Sequence, residues 1–250
     1  MNTQLNKKIA FQDLGLIDYR TAWDYQEKLF QETIEIKTAN RNLELNADAV
    51  SDNQKQVTSN HLLFCEHSPV FTLGKSGKIN HLLASTDILN QRKISFFQTN
   101  RGGDITFHGP EQIVGYPILD LENYFTDIGK YMRCLEEVII QTLAEYGLQG
   151  VRSKGETGVW LDVDTPRARK ICAMGVRCSR WVTMHGWAFN INTDLSYFDL
   201  IVPCGISNKG VTSLEKELGH KIDLQEVKEK LLFHFAKIFE AELIFEKELL

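Results

Sequence analysis

The sequence predicts an α/β or α+β fold in which helices pack on a mixed β-sheet. Segments with apolar residues at helical spacing lie near both ends of the chain and in its middle, and short apolar runs typical of strands lie between them. The 250 residues are 43% hydrophobic and 24% charged, as in ordinary globular proteins. We therefore expect residues 1–250 to form a single domain with a sizeable core.

Three helices are expected from apolar spacing and from residues that favour helix ends. The first covers residues 18–30 and begins with an Asp that can cap it. The polar residues 33–60 that follow are expected to form a surface excursion, part helix extension and part loop. The second helix covers residues 127–147, between an Asp and a Gly. The third begins at Asp223 in a capping-box pattern.

Short apolar runs bounded by turn residues predict the strands. They lie at residues 61–66, 70–74, 94–97, 112–119, 158–161, 171–174 and 181–192. The glycine-rich segment 101–110 stands directly before one of them, and we interpret it as a loop at a sheet edge or mouth. Ligand sites favour such positions.

This loop combines adjacent glycines with Arg101, Thr106 and His108. Glycines let backbone N–H groups approach a ligand closely, while the three side chains supply a fixed charge, a hydroxyl and a titratable ring. The pattern is typical of a binding loop, but also of an ordinary turn with a structural histidine.

The charge balance excludes some function classes. A net charge of −5 argues against a general nucleic-acid-binding protein, and neither a signal peptide nor an apolar run long enough to cross a membrane is found. We therefore expect a cytoplasmic protein with no nucleic-acid or membrane partner. Residues 151–180 nevertheless carry seven Lys or Arg against three Asp or Glu, which predicts a local basic patch for an acidic partner.

The cysteines are expected to be thiols, because their number is odd and no CxxC pair occurs. They are Cys65, Cys134, Cys172, Cys178 and Cys204. The histidines show no metal-ligand spacing, so we expect no metal. Cys204 stands between a Pro and a Gly, a turn that suits a nucleophile or a small buried residue. Lys170 leads into a small, largely apolar run and is either a surface lysine or one held inside.

Together these motifs resemble the lipoate biosynthesis octanoyltransferases. The resemblance covers roughly residues 62–214 and rests on segments 101–110, Gln112, Tyr116, 157–160, 170–171, 175–177, 183–190, 194–195 and 203–205. It departs from the family at Glu111, where the family usually has Gly or His, and in the long excursion 33–60.

The resemblance implies a fold like the catalytic domain of biotin and lipoate protein ligases. It also implies that Cys204 accepts the acyl group as a thioester and that Lys170 is its charge partner, with no cofactor. The acyl chain is then expected to lie against Arg101, Gly102, Gly103, Asp104, Ile105, Thr106, Phe107, His108, Ala173, Met174, Gly175, Gly186, Trp187 and Ala188. The implied donor is octanoyl-acyl carrier protein. The implied acceptors are lysines of lipoyl domains, in 2-oxoacid dehydrogenase E2 subunits and the glycine cleavage H protein.

Other functions remain open on the sequence. An ATP-dependent lipoate or biotin ligase would share the fold and a lysine, but it must bind adenylate and needs no cysteine. A non-catalytic acyl-carrier or lipoyl-binding protein would not need Lys170 and Cys204. A cysteine hydrolase would need a positioned water and a Cys–His pair, for which His185 is available.

Overall fold

The computed structural model describes residues 5–46, 55–202 and 209–245. Its strands in these ranges are β1 Lys8–Ile17, β2 His61–His67, β3 Val70–Leu73, β4 Ser95–Gln98, β5 Ile105–His108, β6 Gln112–Ile118, β7 Val159–Leu161, β8 Arg169–Ser179, β9 Val182–Asn190, β10 Gly210–Val211 and β11 Glu242–Phe245. Its α-helices are α1 Tyr19–Asn46, α2 Thr86–Gln91, α3 Ile128–Ala144, α4 Leu214–Leu218 and α5 Leu224–Phe239.

The strands form one large mixed sheet and one small sheet. The large sheet has the order β10-β8-β9-β6-β2-β1-β11, with β7 paired to β8 beside it. Its β1–β2, β1–β11 and β8–β10 pairs are parallel, and its remaining pairs are antiparallel. The small sheet has the order β4-β3-β5. The mixed sheet with packed helices confirms the predicted fold class.

Helices cover both faces of the large sheet. Side chains alternate along its strands, so neighbouring residues of one strand pack against helices on opposite faces. On β2, Leu62 and Phe64 belong to the core cluster that contains the apolar faces of α3 and α5. Their neighbours Leu63 and Cys65 belong to the cluster that contains α1. The large sheet is therefore the middle layer of the fold.

The helix starts follow the predicted caps. Asp18 accepts a hydrogen bond from the Thr21 backbone at 3.1 Å, and Asp127 and Asp223 cap α3 and α5 in the same way. Helix α1 continues to Asn46, so the first part of the polar excursion is helix; residues 47–54 lie outside the described residues. None of the helices described is both long and apolar enough to cross a membrane.

Two local predictions were wrong. Ile105–His108 is strand β5 and not loop, since it pairs with β3 as the edge of the small sheet. Strand β8 begins at Arg169 rather than at residue 171, so Lys170 lies inside a strand. In addition, no local pattern predicted β1 and β11, which pair with each other in parallel from opposite ends of the chain.

Candidate functional site

A cavity of about 400 Å³ lies where the small sheet meets β6, β8 and β9 of the large sheet. Its volume falls within the range of about 300 to 1,000 Å³ that is typical of small-molecule sites. Most of the predicted site residues line it: Arg101, Gly103, Asp104, Ile105, Thr106, His108, Lys170, Ala173, Met174, Gly175, Gly186, Trp187 and Ala188.

Two of the described site residues, Gly102 and Phe107, do not line this cavity. Gly102 instead ties the glycine loop to the large sheet, because its N–H donates to the Val176 carbonyl at 2.9 Å. Phe107 packs in the core of the small sheet, stacked on Tyr197 with ring centroids 4.5 Å apart. Cys204 lies outside the described residues.

One side of the cavity is a floor of small residues on β8 and β9, which we call the glycine-alanine floor (Ala173, Gly175, Gly186 and Ala188). Ala173 faces Ala188 and Gly175 faces Gly186 across the two strands. A Cβ at Gly175 would lie 2.6 Å from the Gly102 carbonyl oxygen, so the loop can cross here only over a glycine. The floor thus presents methyl groups and backbone, surfaces that suit an apolar chain.

A buried polar layer also borders the cavity, and we call it the histidine wall (Tyr19, His67, His108, Tyr116 and His185). All but His67 line the cavity, and His67 contacts His108 and Tyr116. His108 Nδ1 donates to Gln112 Oε1 at 3.0 Å and its Nε2 accepts from Thr72 Oγ1 at 3.2 Å. His67 Nδ1 donates to a backbone carbonyl and its Nε2 accepts from Tyr116 at 2.8 Å. Nδ1 of each ring donates to an oxygen that can only accept, and Nε2 of each ring lies beside a hydroxyl that can donate to it, so both rings can be fully hydrogen-bonded as neutral imidazoles.

Burial favours the same neutral state. It lowers the pKa of His67 from 6.5 to about 4 and the pKa of His185 to about 3, the latter with help from the nearby charge of Arg101. Burial, followed by the neighbouring His67 and Arg101, also lowers the pKa of His108 well below its usual value. The wall is therefore uncharged near neutral pH, apart from the Arg101 guanidinium beside it.

Arg101 begins a continuous chain of hydrogen bonds through the wall. Its Nη2 donates to Thr72 Oγ1 at 2.9 Å, and the Thr72 hydroxyl donates to His108. His108 donates to Gln112, which in turn donates to Asn190 at 2.8 Å. Gln112 Oε1 can only accept, which places a proton on His108 Nδ1, and the bond from Arg101 favours a Thr72 hydroxyl turned toward His108 Nε2.

A third group of side chains carries charge, and we call it the charged rim (Glu156, Lys170 and Lys209). Glu156 and Lys170 line the cavity. Lys170 is only 8% exposed, and its Nζ lies 4.6 Å from the ring centre of Trp160. Lys209 Nζ lies 4.8 Å from the same ring and 2.7 Å from Glu156. Two ammonium groups and one carboxylate thus gather around one indole.

Glu156 stays ionised in this rim. Burial raises its pKa, but hydrogen bonds from Lys209 and Ser153 and the charges of Lys209 and Lys170 outweigh burial, so the pKa is lowered overall. Lys170 is held firmly from both sides, since β8 pairs with Trp160 on β7 and with Val211 on β10 at this point.

Val202 and Lys209 are the nearest described residues before and after Cys204 in the sequence, and hydrogen bonds connect both to residues of the site. On one side, the Val202 N–H donates to the His81 carbonyl at 2.7 Å, and the His81 ring pairs with Asp104 of the cavity at 2.5 Å. On the other side, Lys209 belongs to the charged rim. Among the residues described, no group of three or more His, Cys, Asp or Glu could hold a metal ion. The four described cysteines are free thiols, as predicted.

The sequence interpretation missed several residues that line the cavity: Tyr19, Ser76, Tyr116, Gly155, Glu156, Thr157 and His185. Tyr116, Thr157 and His185 stood within the motifs of the resemblance, and that was the available signal for them. Tyr19 falls within the first predicted helix, residues 18–30. It is buried there, yet it also stacks on His108 with ring centroids 5.9 Å apart.

Comparison with known proteins agrees with this architecture. Residues 18–236 match the family described as the lipoyl protein ligase A/B catalytic domain. An octanoyltransferase of Flavobacterium johnsoniae is 60% identical over 96% of this chain and 100% of its own length. One of Christiangramia forsetii is 58% identical over 96% of this chain and 99% of its own length.

The fold is also similar to a solved structure. A bipartite lipoate protein ligase from Thermoplasma acidophilum, studied with its E2 lipoyl domain, has a TM-score of 0.65 at 14% identity, over 98% of this chain and 88% of that chain. At this identity the likeness concerns the fold alone. The family match and the two relatives settle the assignment: the chain belongs to the octanoyltransferases, acyltransferases with the lipoyl protein ligase A/B catalytic domain.

Proposed function

We propose that the protein, acting as a single catalytic domain, transfers an octanoyl group from acyl carrier protein to a lysine of a lipoyl domain, through a thioester on Cys204. The observation that carries the proposal is the juxtaposition of the buried Lys170 with a cavity that has a small, apolar floor. An acyl chain can lie on that floor while its carbonyl carbon faces the charged rim.

In the first half of the reaction, Lys170 accepts the proton of the Cys204 thiol and stabilises the thiolate. The thiolate attacks the thioester carbonyl of the donor, the new carbon–sulfur bond to Cys204 forms, and the bond to the carrier sulfur breaks. The departing carrier thiolate takes the proton from the Lys170 ammonium. Acyl-Cys204 and a neutral Lys170 amine remain.

In the second half, the neutral amine of the acceptor lysine attacks acyl-Cys204. The amide bond forms and the Cys204 thiolate leaves, while Lys170 takes the proton released by the attacking nitrogen. The thiolate and the ammonium are thereby restored. Glu156 supplies a carboxylate at the rim that interacts favourably with Lys170.

For partners, we propose octanoyl-acyl carrier protein as donor, and lipoyl domains of 2-oxoacid dehydrogenase E2 subunits and the glycine cleavage H protein as acceptors, in the cytoplasm. The lipoyl domain named with the Thermoplasma ligase supports the choice of acceptor. The predicted basic patch needs revision as a carrier contact, because Arg169 binds Glu217 at 2.5 Å and Asp162 at 2.6 Å. Arg167, by contrast, has an 81% exposed side chain.

The test is a mass spectrum of the purified protein after incubation with octanoyl-carrier, without ATP. We expect one octanoyl adduct, located on Cys204 by peptide mapping, and its transfer to added lipoyl domain. Cys204→Ala should carry no adduct and should not transfer, and Cys178→Ala, which removes an exposed thiol, is the matched control. An adduct on another cysteine, or an absolute need for ATP, would contradict the proposal.

A further inference from the structure

A second groove, open to solvent, adjoins the acyl cavity. It encloses about 610 Å³ and shares Gly155, Glu156 and Thr157 with the cavity wall. Three cationic residues line it: Arg133 from α3, and Arg152 and Lys154 from the segment before β7. We call it the arginine groove. A ligand in this groove would lie directly beside the route into the cavity.

The two arginines are held in place by a buried carboxylate. Glu136 is fully buried, forms an ion pair with Arg133 Nη1 at 2.7 Å, and accepts hydrogen bonds from Arg152 Nε and the Gly158 N–H, each at 3.1 Å. Arg152 also donates to Glu137 at 2.6 Å. These bonds fix the guanidinium groups from the protein side, so that little side-chain freedom remains to be lost on binding.

Substantial parts of these cations still face the groove. The side chains of Arg133 and Arg152 are 46% and 35% exposed, and Lys154 is exposed. Glu156, which also lines the groove, is paired with Lys209. The groove is thus lined by oriented cationic donors, an arrangement that recognises a phosphate group.

We propose that the arginine groove binds the phosphodiester of the phosphopantetheine arm on which the donor carries its acyl group. The inference rests on the proposed function. Once the acyl chain lies on the glycine-alanine floor and its thioester meets the charged rim, the rest of the arm must leave the cavity. The arginine groove adjoins the cavity wall at Gly155–Thr157, and its cations match the one charged group of the arm.

The test compares two small donors, octanoyl-4′-phosphopantetheine and octanoyl-pantetheine, which differ only in the phosphate. We expect the wild-type enzyme to use the phosphorylated donor with a kcat/KM on the order of 10-fold higher, mostly through KM, because hydrogen bonds to a charged group are strong. Lys154→Gln and Arg133→Gln should each reduce this preference. Lys8→Gln is the control, since it removes an exposed lysine on β1, far from β7 and β8 in the sheet order.

Equal use of the two donors by the wild-type enzyme, with acyl-Cys204 still formed, would overturn the groove assignment and leave the proposed function standing. A preference that survives in both groove variants would also overturn it. So would variants that raise KM only for octanoyl-carrier and not for the phosphorylated small donor, because the groove would then serve the acidic surface of the carrier. If neither donor acylates Cys204, it is the proposed function that fails.

Discussion

The two polar regions around the cavity differ in charge. The histidine wall consists of neutral rings, whereas the charged rim holds ammonium and carboxylate groups. The wall buries three imidazoles, and their pKa values are lowered mainly by burial. The rim places two ammonium groups beside one carboxylate and one indole. The ion pair and the cation–π contacts stabilise these partly buried charges. Under the proposed function, the acyl chain lies beside neutral imidazoles, and proton transfer takes place at the charged rim.

The largest effect is expected at the charged rim. Lys170→Ala should slow transfer by about 10² to 10⁴, the range in which general acid–base catalysis operates. It should also shift the alkylation of Cys204 toward higher pH, because a nearby ammonium favours the thiolate. The measurements are single-turnover acylation and the pH profile of iodoacetamide labelling. Lys216→Ala, on the exterior helix α4, is the control. An unchanged labelling profile would contradict the electrostatic role of Lys170.

The histidine wall should show itself in acid unfolding. A histidine whose folded pKa is depressed binds protons more readily when unfolded, so its stabilising contribution is complete above about pH 6.5 and is lost as the pH falls toward about 4. For His67 and His185 the folded pKa values are about 4 and about 3. Each contributes a slope of up to about 1.4 kcal/mol per pH unit to the free energy of unfolding.

Urea unfolding between pH 7 and 5 tests this expectation. His185→Asn should reduce the slope by up to about 1.4 kcal/mol per pH unit. Asn is chosen because His185 has a φ of 59°, a left-handed conformation that Asn tolerates. His220→Asn removes an exposed histidine and should leave the slope unchanged. Equal slopes for all three proteins would show that the wall takes up protons without unfolding.

The local elements were predictable, whereas the wall was not. Asp127 and Gly147 mark the two ends of α3 through contacts within a few residues, and such signals are visible in sequence. Tyr19 and His67 meet His108 only because α1, β2 and β5 come together in the folded chain. Strand β1 has Gln, Asp and Gly among its apolar residues, and its partners lie far away in sequence, so no local periodicity marks it.

A change in the glycine-alanine floor should have a moderate effect on the preference for acyl-chain length. Ala173→Val adds two methyl groups over the floor and should hinder the end of a long acyl chain. If two or three methylenes lose their contacts, at about 0.8 kcal/mol each, octanoyl transfer should fall by about 10-fold or more. A butanoyl donor is the internal control, since its chain is too short to feel the change. Equal losses for both donors would indicate general damage to the site instead.

The smallest effect is expected at Glu111, in the turn between β5 and β6. Its φ is 59°, and a non-glycine residue in this left-handed region is strained by about 1 kcal/mol. Glu111 also pairs with Lys221 at 3.0 Å, but both side chains are exposed and such pairs contribute about 0 to 1 kcal/mol. Glu111→Gly should therefore raise the free energy of unfolding slightly or leave it unchanged, with transfer activity preserved. Lys221→Ala separates the two contributions, because it removes the ion pair and keeps the strain. A larger loss of stability in Glu111→Gly than in Lys221→Ala would contradict this expectation. Glu111 would then stabilise the turn through contacts other than its ion pair, by more than the strain that Gly relieves.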